Sequence, residues 1–366
     1  MRNLVHFMIG LLFVWLFSWQ VNGYSIRSEA TYTTTALDDV TIHTPSQRIF
    51  HSAEFNISFM LRGHDRPLKF ALIPNHDLLV QDPHIRFLDS AGRSTRAETL
   101  KRESHRVYRG DVFRQDVMQW ERVGWARINV IRDGLDPLFD GAFSIAGLQY
   151  HINIASSAMT VSYNAADTDH SLPTNVSTPE HYLAPQKRQF GFDSDTLIDT
   201  IGDSSGCPNT RQIALVGIAT DCSYTGSFDS SEDLVDALVT MVNTASEVFE
   251  STFNIALALH NLTIEEEGCP QSPSDDLPWN AGCSAGDLNW RLQAFSQWRT
   301  TFRDDDNAYW TLMSGCPGTS EVGVSWVGEL CNQDTGTNVV ARANNQWQIF
   351  ACVPCSMFLP YDESPS

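Results

Sequence analysis

The sequence predicts two differently built parts, a β-rich first half followed by an α/β second half. Three observations carry this. Residues 30–160 break into short runs rich in β-branched and aromatic residues, with alternating polarity. From residue 207 onward, apolar strand-like runs alternate with long helical periodicity. Charge and cysteine usage change between the two. Residues 1–188 carry 19 Lys+Arg and 19 Asp+Glu, whereas residues 189–366 carry 5 and 25, so the whole net charge of −20 lies in the second half.

In the first half, "FNISFMLRG" alternates Phe55, Ile57, Phe59 and Leu61 on one face. "KFALI" (69–73), "WARINVI" (125–131) and "FSIAGLQYHINI" (143–154) are further strands. Residues 62–132 carry 14 basic and 9 acidic side chains, a local excess that could dock on the acidic second half or simply be solvated surface. In the second half "RQIALVGIATD" (211–221) is a buried strand. Ser230 then caps a helix, with Asp233 as a capping-box-like partner and Leu234, Leu238, Met241, Val242, Ala245, Val248 and Phe249 at three- and four-residue steps. "NIALALHNLTI" (254–264) is the next strand. A second helix begins near Asp287 with Leu288, Leu292, Phe295, Trp298 and Phe302 on one side, and strands follow at 321–328 and 338–342.

The N-terminus has Arg2, an apolar run from Leu4 to Phe17, and small residues Val21 and Gly23 at the −3 and −1 positions. Residues 1–23 are expected to be a secretory signal peptide cleaved after Gly23. No later apolar run reaches the ~18 residues of a spanning helix, so no membrane anchor is expected in this chain. Residues 161–206 are rich in Pro, Ser, Thr, Asn and Asp and form a linker, with the dibasic pair Lys187-Arg188 as a processing site. The expected division is 1–23 signal, 24–160 β-rich domain, 161–206 linker, 207–351 α/β domain and 352–366 tail. All eight cysteines follow residue 206. Cys207, Cys222, Cys269, Cys283, Cys316 and Cys331 are disulfide candidates whose connectivity the sequence leaves open. Asn56, Asn175 and Asn261 head N-glycosylation sequons, which agrees with an extracellular destination. The acidic balance argues against nucleic acid as a partner. Glu265-Glu266-Glu267 and Asp304-Asp305-Asp306 are taken as solvated loops rather than metal ligands.

Several stretches resemble the metalloproteinase domain of the ADAM (adamalysin/reprolysin) family, in a fungal-type form. "QIALVGIATDCSYTGSF" and "NIALALHNLTI" are similar to its first two strands. "LQAFSQWR" resembles the following helix, and "DDDNAYWTLMSGCPGTSEVGVSWVGELC" resembles the run after it in register. "RVYRGDVF" and "GAFSIAGLQYHI" more loosely resemble the prodomain. The resemblance implies an α/β metzincin-like N-terminal subdomain, incomplete here, preceded by a β-rich prodomain in a zymogen layout. It implies that Gly323, Val324, Ser325 and Trp326 form the edge strand along which an extended polypeptide substrate adds. It also implies that Cys331 pairs with a cysteine beyond the zinc helix.

Intact members use His-Glu-x-x-His-x-x-Gly-x-x-His to hold zinc and activate a water. Here "QWQIFA" (346–351) resembles the lead-in to that helix, and Cys352-Val-Pro-Cys follows instead. No two of the 11 histidines stand four apart, and none follows His260. The expectation is therefore a secreted metalloendopeptidase relative with no catalytic or metal-binding residue in this chain. It would bind no zinc as written, and polypeptide substrates or an intact relative would be its partners. The alternative is a noncatalytic secreted binder or inhibitor of an intact protease. No prodomain cysteine is present to cap zinc, so latency would have to come from the first half docking on the second.

Overall fold

The computed structural model describes residues 22–26, 32–79, 82–117, 119–155, 158–164, 209–266, 268–302, 305–318, 321–326, 329 and 331–342. The signal segment up to Val21, Lys187, Arg188, Asn175, Cys207 and the residues after Arg342 lie outside these.

The first half closes into an eight-stranded antiparallel barrel. Its strands are β2 (Tyr32–Ile42), β3 (Phe55–Leu61), β4 (Leu68–Pro74), β7 (Val107–Asp116), β8 (Gln119–Arg132), β9 (Leu138–Ile145), β10 (Leu148–Ala155) and β11 (Ala158–Asn164), with β11 pairing back onto β2. Closure removes free sheet edges. The alternation in β3 buries Phe55, Ile57, Phe59 and Leu61, as its period of two requires. Inside the barrel Phe59 meets Phe70 edge-on at 4.8 Å, and Phe143 stacks on Tyr150 at 4.9 Å. The run 143–154, expected as one strand, is a hairpin instead. Ala146 and Gly147 turn it with φ of 50° and 86°, the left-handed pair of a tight hairpin turn. Gly141 is required where β9 crosses β8, because its φ is +134° and a Cβ there would lie 2.1 Å from the Arg127 carbonyl oxygen.

The second half is a layered α/β unit, but its sheet is not built from the second half alone. The order is β1 (Asn22–Ile26), β15 (Glu321–Trp326), β16 (Thr337–Ala341), β14 (Tyr309–Ser314), β12 (Gln212–Thr220), β13 (Ile255–Glu265), β5 (His84–Leu88) and β6 (Ser94–Thr99). The parallel centre consists of β12 (Gln212–Thr220), β13 (Ile255–Glu265), β14 (Tyr309–Ser314) and β16 (Thr337–Ala341). β15 (Glu321–Trp326) runs antiparallel to β16. The hairpin β5 (His84–Leu88) and β6 (Ser94–Thr99) leaves the barrel between β4 and β7, and β5 lies parallel to β13. β1 (Asn22–Ile26) covers the other edge. Both additions escape single-sequence reading because local polarity does not say which sheet a strand joins.

A short helix α1 (Cys222–Thr225) follows β12. Helix α2 (Ser231–Phe253) packs its predicted apolar stripe on the sheet; Leu234, Leu238, Met241, Val242, Ala245 and Phe249 share one core with Ile85, Phe87, Ile218 and Leu262. Ser230 Oγ accepts from Asp233 N–H at 3.1 Å and donates to the Asp233 carboxylate at 2.7 Å. The Asp233 carboxylate thus meets the Ser230 hydroxyl, where a full capping box would bring it to the Ser230 N–H. Helix α3 (Leu288–Arg299) is capped by Asp287, which accepts from Trp290 N–H at 2.8 Å. Phe302 lies beyond its end but packs on Trp298 at 4.4 Å. β14 was not anticipated as a separate strand; all six of its residues are buried, so it shows no alternation.

Candidate functional site

The sequence-predicted edge strand is β15, and it is a backbone site. Gly323, Val324 and Ser325 pair with Val340, Val339 and Asn338 of β16. Val324 is fully buried, and Trp326 turns its indole inward, donating from Nε1 to Ser296 Oγ at 2.7 Å. Ser296 Oγ in turn shares a hydrogen bond with Thr337 Oγ1. The four residues therefore offer main chain toward the outer side and no acid, base or nucleophile. That outer side is occupied. β1 runs antiparallel along it, with Gly23 opposite Ser325, Tyr24 opposite Val324 and Ser25 opposite Gly323. The strand straddles the expected cleavage point after Gly23.

Behind the sheet, two disulfides and a buried ion pair fasten the loop 268–287. Cys222 bonds Cys269, and Cys283 bonds Cys316. Ser223 Oγ lies within 3.5 Å of Cys269, Cys283 and Cys316 Sγ, so the bridges sit side by side. Arg291 is fully buried in α3. It donates to the carbonyls of Trp279, Ala281 and Gly282 at 3.0–3.1 Å and lies 3.3 Å from the equally buried Asp221. Asp221 also accepts from Tyr224 N–H, Gly315 N–H and Ser314 Oγ. Burial pushes the Arg291 guanidinium pKa down, and the Asp221 charge opposes that. The other disulfide candidate within the described residues, Cys331, is unpaired, and burial raises its thiol pKa.

The expectation of solvated loops fails at Glu265 and Asp305, whereas Glu266 and Asp306 are exposed and Glu267 and Asp304 lie outside the described residues. Glu265 ends β13 with its side chain fully buried, and Glu266 accepts from Arg96 at 2.8 Å. Asp305 accepts from Arg299 Nη1 at 2.6 Å, Asn307 Nδ2 at 2.9 Å and Trp310 Nε1. Burial alone would raise the Asp305 carboxyl, but these donors hold it below its ordinary value. Asp305, Asn307 and Cys331 line a cavity of about 480 Å³ at the N-terminal ends of β12 and β13, and no β15 residue lines it. Sequence reading missed Asp221, Arg291 and Asp305 as organising residues. Single charges inside apolar runs (Asp221 ending a strand, Arg291 within a helix face) were the available signal.

His260, on β13, has Nδ1 3.1 Å from Asn307 Oδ1 and from Asn261 Nδ2. Among the described residues no three His, Cys, Asp or Glu side chains converge as metal ligands. Of the sequons, Asn56 lies on β3 and Asn261 sits half-buried in central β13. Among the described residues no helix is long and apolar enough to cross a membrane.

Residues 210–353 match the family model described as Metallo-peptidase family M12B Reprolysin-like. The chain is 34% identical over 92% of its length to Disintegrin and metalloproteinase domain-containing protein B of Aspergillus fumigatus, covering 52% of that protein. It is 33% identical over 85% of its length to the protein of the same name from Arthroderma otae, covering 49% of it. The chain thus spans about half the length of these curated relatives. Metalloproteinase-II from Bacteroides fragilis aligns over 78% of this chain and 75% of its own at 9% identity, but with a TM-score of 0.31 the likeness carries no weight. The family match over residues 210–353 and the long alignments to fungal relatives support an ADAM-like, reprolysin-type M12B metalloprotease relationship for this chain.

Proposed function

We propose that this chain is a secreted member of the ADAM-like metalloendopeptidase class, inactive as written, with the barrel as prodomain and the α/β unit as the upper part of a protease domain whose substrate edge is covered. The observation that carries the reading is β1 on β15. The outer side of this strand accepts an extended backbone running antiparallel, which is how a peptide substrate adds to a sheet edge. While β1 is there, a substrate cannot use the same main-chain groups. Latency without a prodomain cysteine then has a physical basis, competition for the edge.

Residues 1–366 carry no His-Glu-x-x-His, so we assign them no catalytic residue, no zinc and no hydrolysis. In complete relatives the zinc would supply an activated water; here the chain's own part is to position an extended peptide. Export follows from the N-terminal segment, and Lys187-Arg188 is the point at which the two halves would be cut apart. Secreted protein beginning at Tyr24 is expected to show no chelator-sensitive hydrolysis of unfolded protein substrates; chelator-sensitive turnover would overturn the assignment. Removing residues 24–26 should strengthen binding of extended peptides to this edge, and unchanged binding would refute the competition. Saturable capture of a full-length relative by the same inactive protein would favour the alternative, a noncatalytic secreted binder.

A further inference from the structure

Helix α2 carries a second stripe that the apolar periodicity hides. Asp236, Thr240, Asn243, Glu247 and Glu250 recur at steps of four and three, the spacing of one helix face. This face meets the barrel wall, and each residue has a partner there. His105 Nδ1 lies 3.2 Å from Asp236. Asn129 Nδ2 donates to Thr240 Oγ1, and Thr240 Oγ1 donates to Asp140, both at 3.1 Å. Asn75 donates to Asn243 at 2.8 Å, and Asn243 donates to the Tyr108 carbonyl. Arg127, 4% exposed, pairs with Glu247 at 2.5 Å and Glu250 at 3.1 Å. Asp77, Arg109, Arg211 and Glu250 close a ring of four charges beside it.

The two attachments of the first half thus differ in kind. The β5–β6 hairpin enters the sheet with Ile85 and Phe87 in its apolar core. The barrel meets α2 mainly through polar groups that water could also satisfy, with Val107 of β7 its buried apolar contribution to that core. Permanent interfaces are apolar, and a face that must also survive exposure is polar. We propose that the barrel–α2 seam is a separable joint gated by protons at Asp140, closed in mild acid and loosened as the pH rises, while the hairpin stays in the sheet. This deepens the latency part of the proposed function by naming its regulation.

The Asp140 carboxyl sits at the centre of the seam, on β9 beneath α2. Burial pushes it up to about 7, with the Thr240 hydrogen bond opposing and the Asp236 charge adding to the shift. Burial likewise holds the Glu247 carboxyl above its ordinary value despite Arg127. Glu250 is held below its ordinary value by Arg211, Arg127 and Arg109, against the effect of burial. His105 pairs with Asp236 as an ion pair only when protonated. For Asp140 the sign is fixed: its raised value means the closed joint binds a proton the open one releases. Closure is therefore full below the ordinary carboxylate range and is lost as pH rises through about 7.

Ala142 is the reporter. It lies cross-strand from Arg127 and is 1% exposed, so an Ala142→Cys thiol reacts only when the seam opens. His151, cross-strand on the other side, has the opposite pH sense, so the readout is a ratio that cancels it. Maleimide labelling of the full chain at residue 142 is followed by mass spectrometry at pH 5.5 and 8.0, each rate divided by that of a cysteine peptide. Protection of Ala142→Cys/Asp140→Asn relative to Ala142→Cys should rise about thirtyfold between the two pH values. A ratio independent of pH overturns the gate. Should the cysteine variants not fold, dicarbonyl modification of Arg127, normalised to exposed Arg93, gives the same reading in Asp140 and Asp140→Asn chains. Neither assay needs hydrolysis or cleavage, so failure here is separate from failure of the peptidase reading.

Discussion

Replacing Arg291 with methionine tests whether the buried ion pair organises the region behind the edge strand. The stem of Arg291 is retained, but three carbonyl oxygens, of Trp279, Ala281 and Gly282, lose a donor, and Asp221 loses its cation. Both partners are 0% exposed, so no water screens the loss. Removing one member of such a pair costs about 3–5 kcal/mol, mostly from the charge left behind. Asp221 keeps the Tyr224 and Gly315 amides and the Ser314 hydroxyl, which places the cost toward the lower end. Urea unfolding with disulfides intact, followed by tryptophan fluorescence, should show Arg291→Met less stable by about 3 kcal/mol, a large share of the 5–15 kcal/mol typical of a domain. Adding Asp221→Asn removes the stranded charge, so the double variant should lose less than the sum of the single losses by about 1–2 kcal/mol. A single-variant loss below about 1 kcal/mol, or strictly additive losses, would refute the stranded-charge reasoning.

Gly141→Ala should destabilise the barrel by at least about 1–3 kcal/mol, from positive φ and the close Arg127 carbonyl together, read as a lowered melting temperature. Non-reducing peptide mapping should recover Cys222 linked to Cys269 and Cys283 linked to Cys316, with the exposed Cys331 recovered as an alkylated free thiol. Burial lowers the His151 pKa from 6.5 to about 4, so its ring is neutral in the fold while the unfolded chain takes up a proton. Stability from this site is lost as pH falls below 6.5, by up to about 3 kcal/mol near pH 4. Asp140 has the opposite sense over nearly the same range, so His151→Gln should give a chain whose stability falls as pH rises from 4 to 7, and Asp140→Asn one whose stability rises from 4 to 6.5. Parallel pH profiles for the two variants would contradict both assignments.

Where a local pattern determined the structure, the sequence displayed it. The alternation at Phe55–Leu61, the apolar stripe of α2, the cap at Ser230 and the helix start near Asp287 each follow from neighbours within a few residues. The choice of partner strand is settled by pairs far apart in the chain, and it was hidden. Nothing in "HIRFL" distinguishes a barrel strand from one seated against β13, because both environments bury Ile85 and Phe87. Gly323–Trp326 could be singled out only through resemblance, since they contribute main chain and carry no chemical signature, and that resemblance did not anticipate β1 lying outside them in the sheet. The polar stripe of α2 was visible as a pattern, yet Asp, Thr, Asn and Glu on a helix ordinarily mean a solvated face. Only the barrel's Arg127, Asn129 and Asp140 reveal it as an interface.

Both borders of the α/β sheet are formed by chain that precedes residue 100, β1 on one side and β6 on the other. An uncovered sheet edge is a template for any extended chain, and the two borders meet that hazard differently. β6 is fully exposed and carries Arg96 and Glu98, charges that discourage a further strand, and Arg96 ties it to Glu266 at 2.8 Å. That border is finished. β15 has β16 on one side and β1 on the other, of which Tyr24–Ile26 stay with the chain after the expected cleavage at Gly23, with a register shift between Ser25 and Ile26. The sheet is thus sealed by a charged hairpin on the border that no proposed step uses. On the border that would receive a peptide it is covered by a short strand, the cheaper of the two to remove. A chain built only for a static fold would gain from closing both borders alike, so the asymmetry supports β15 as the working edge.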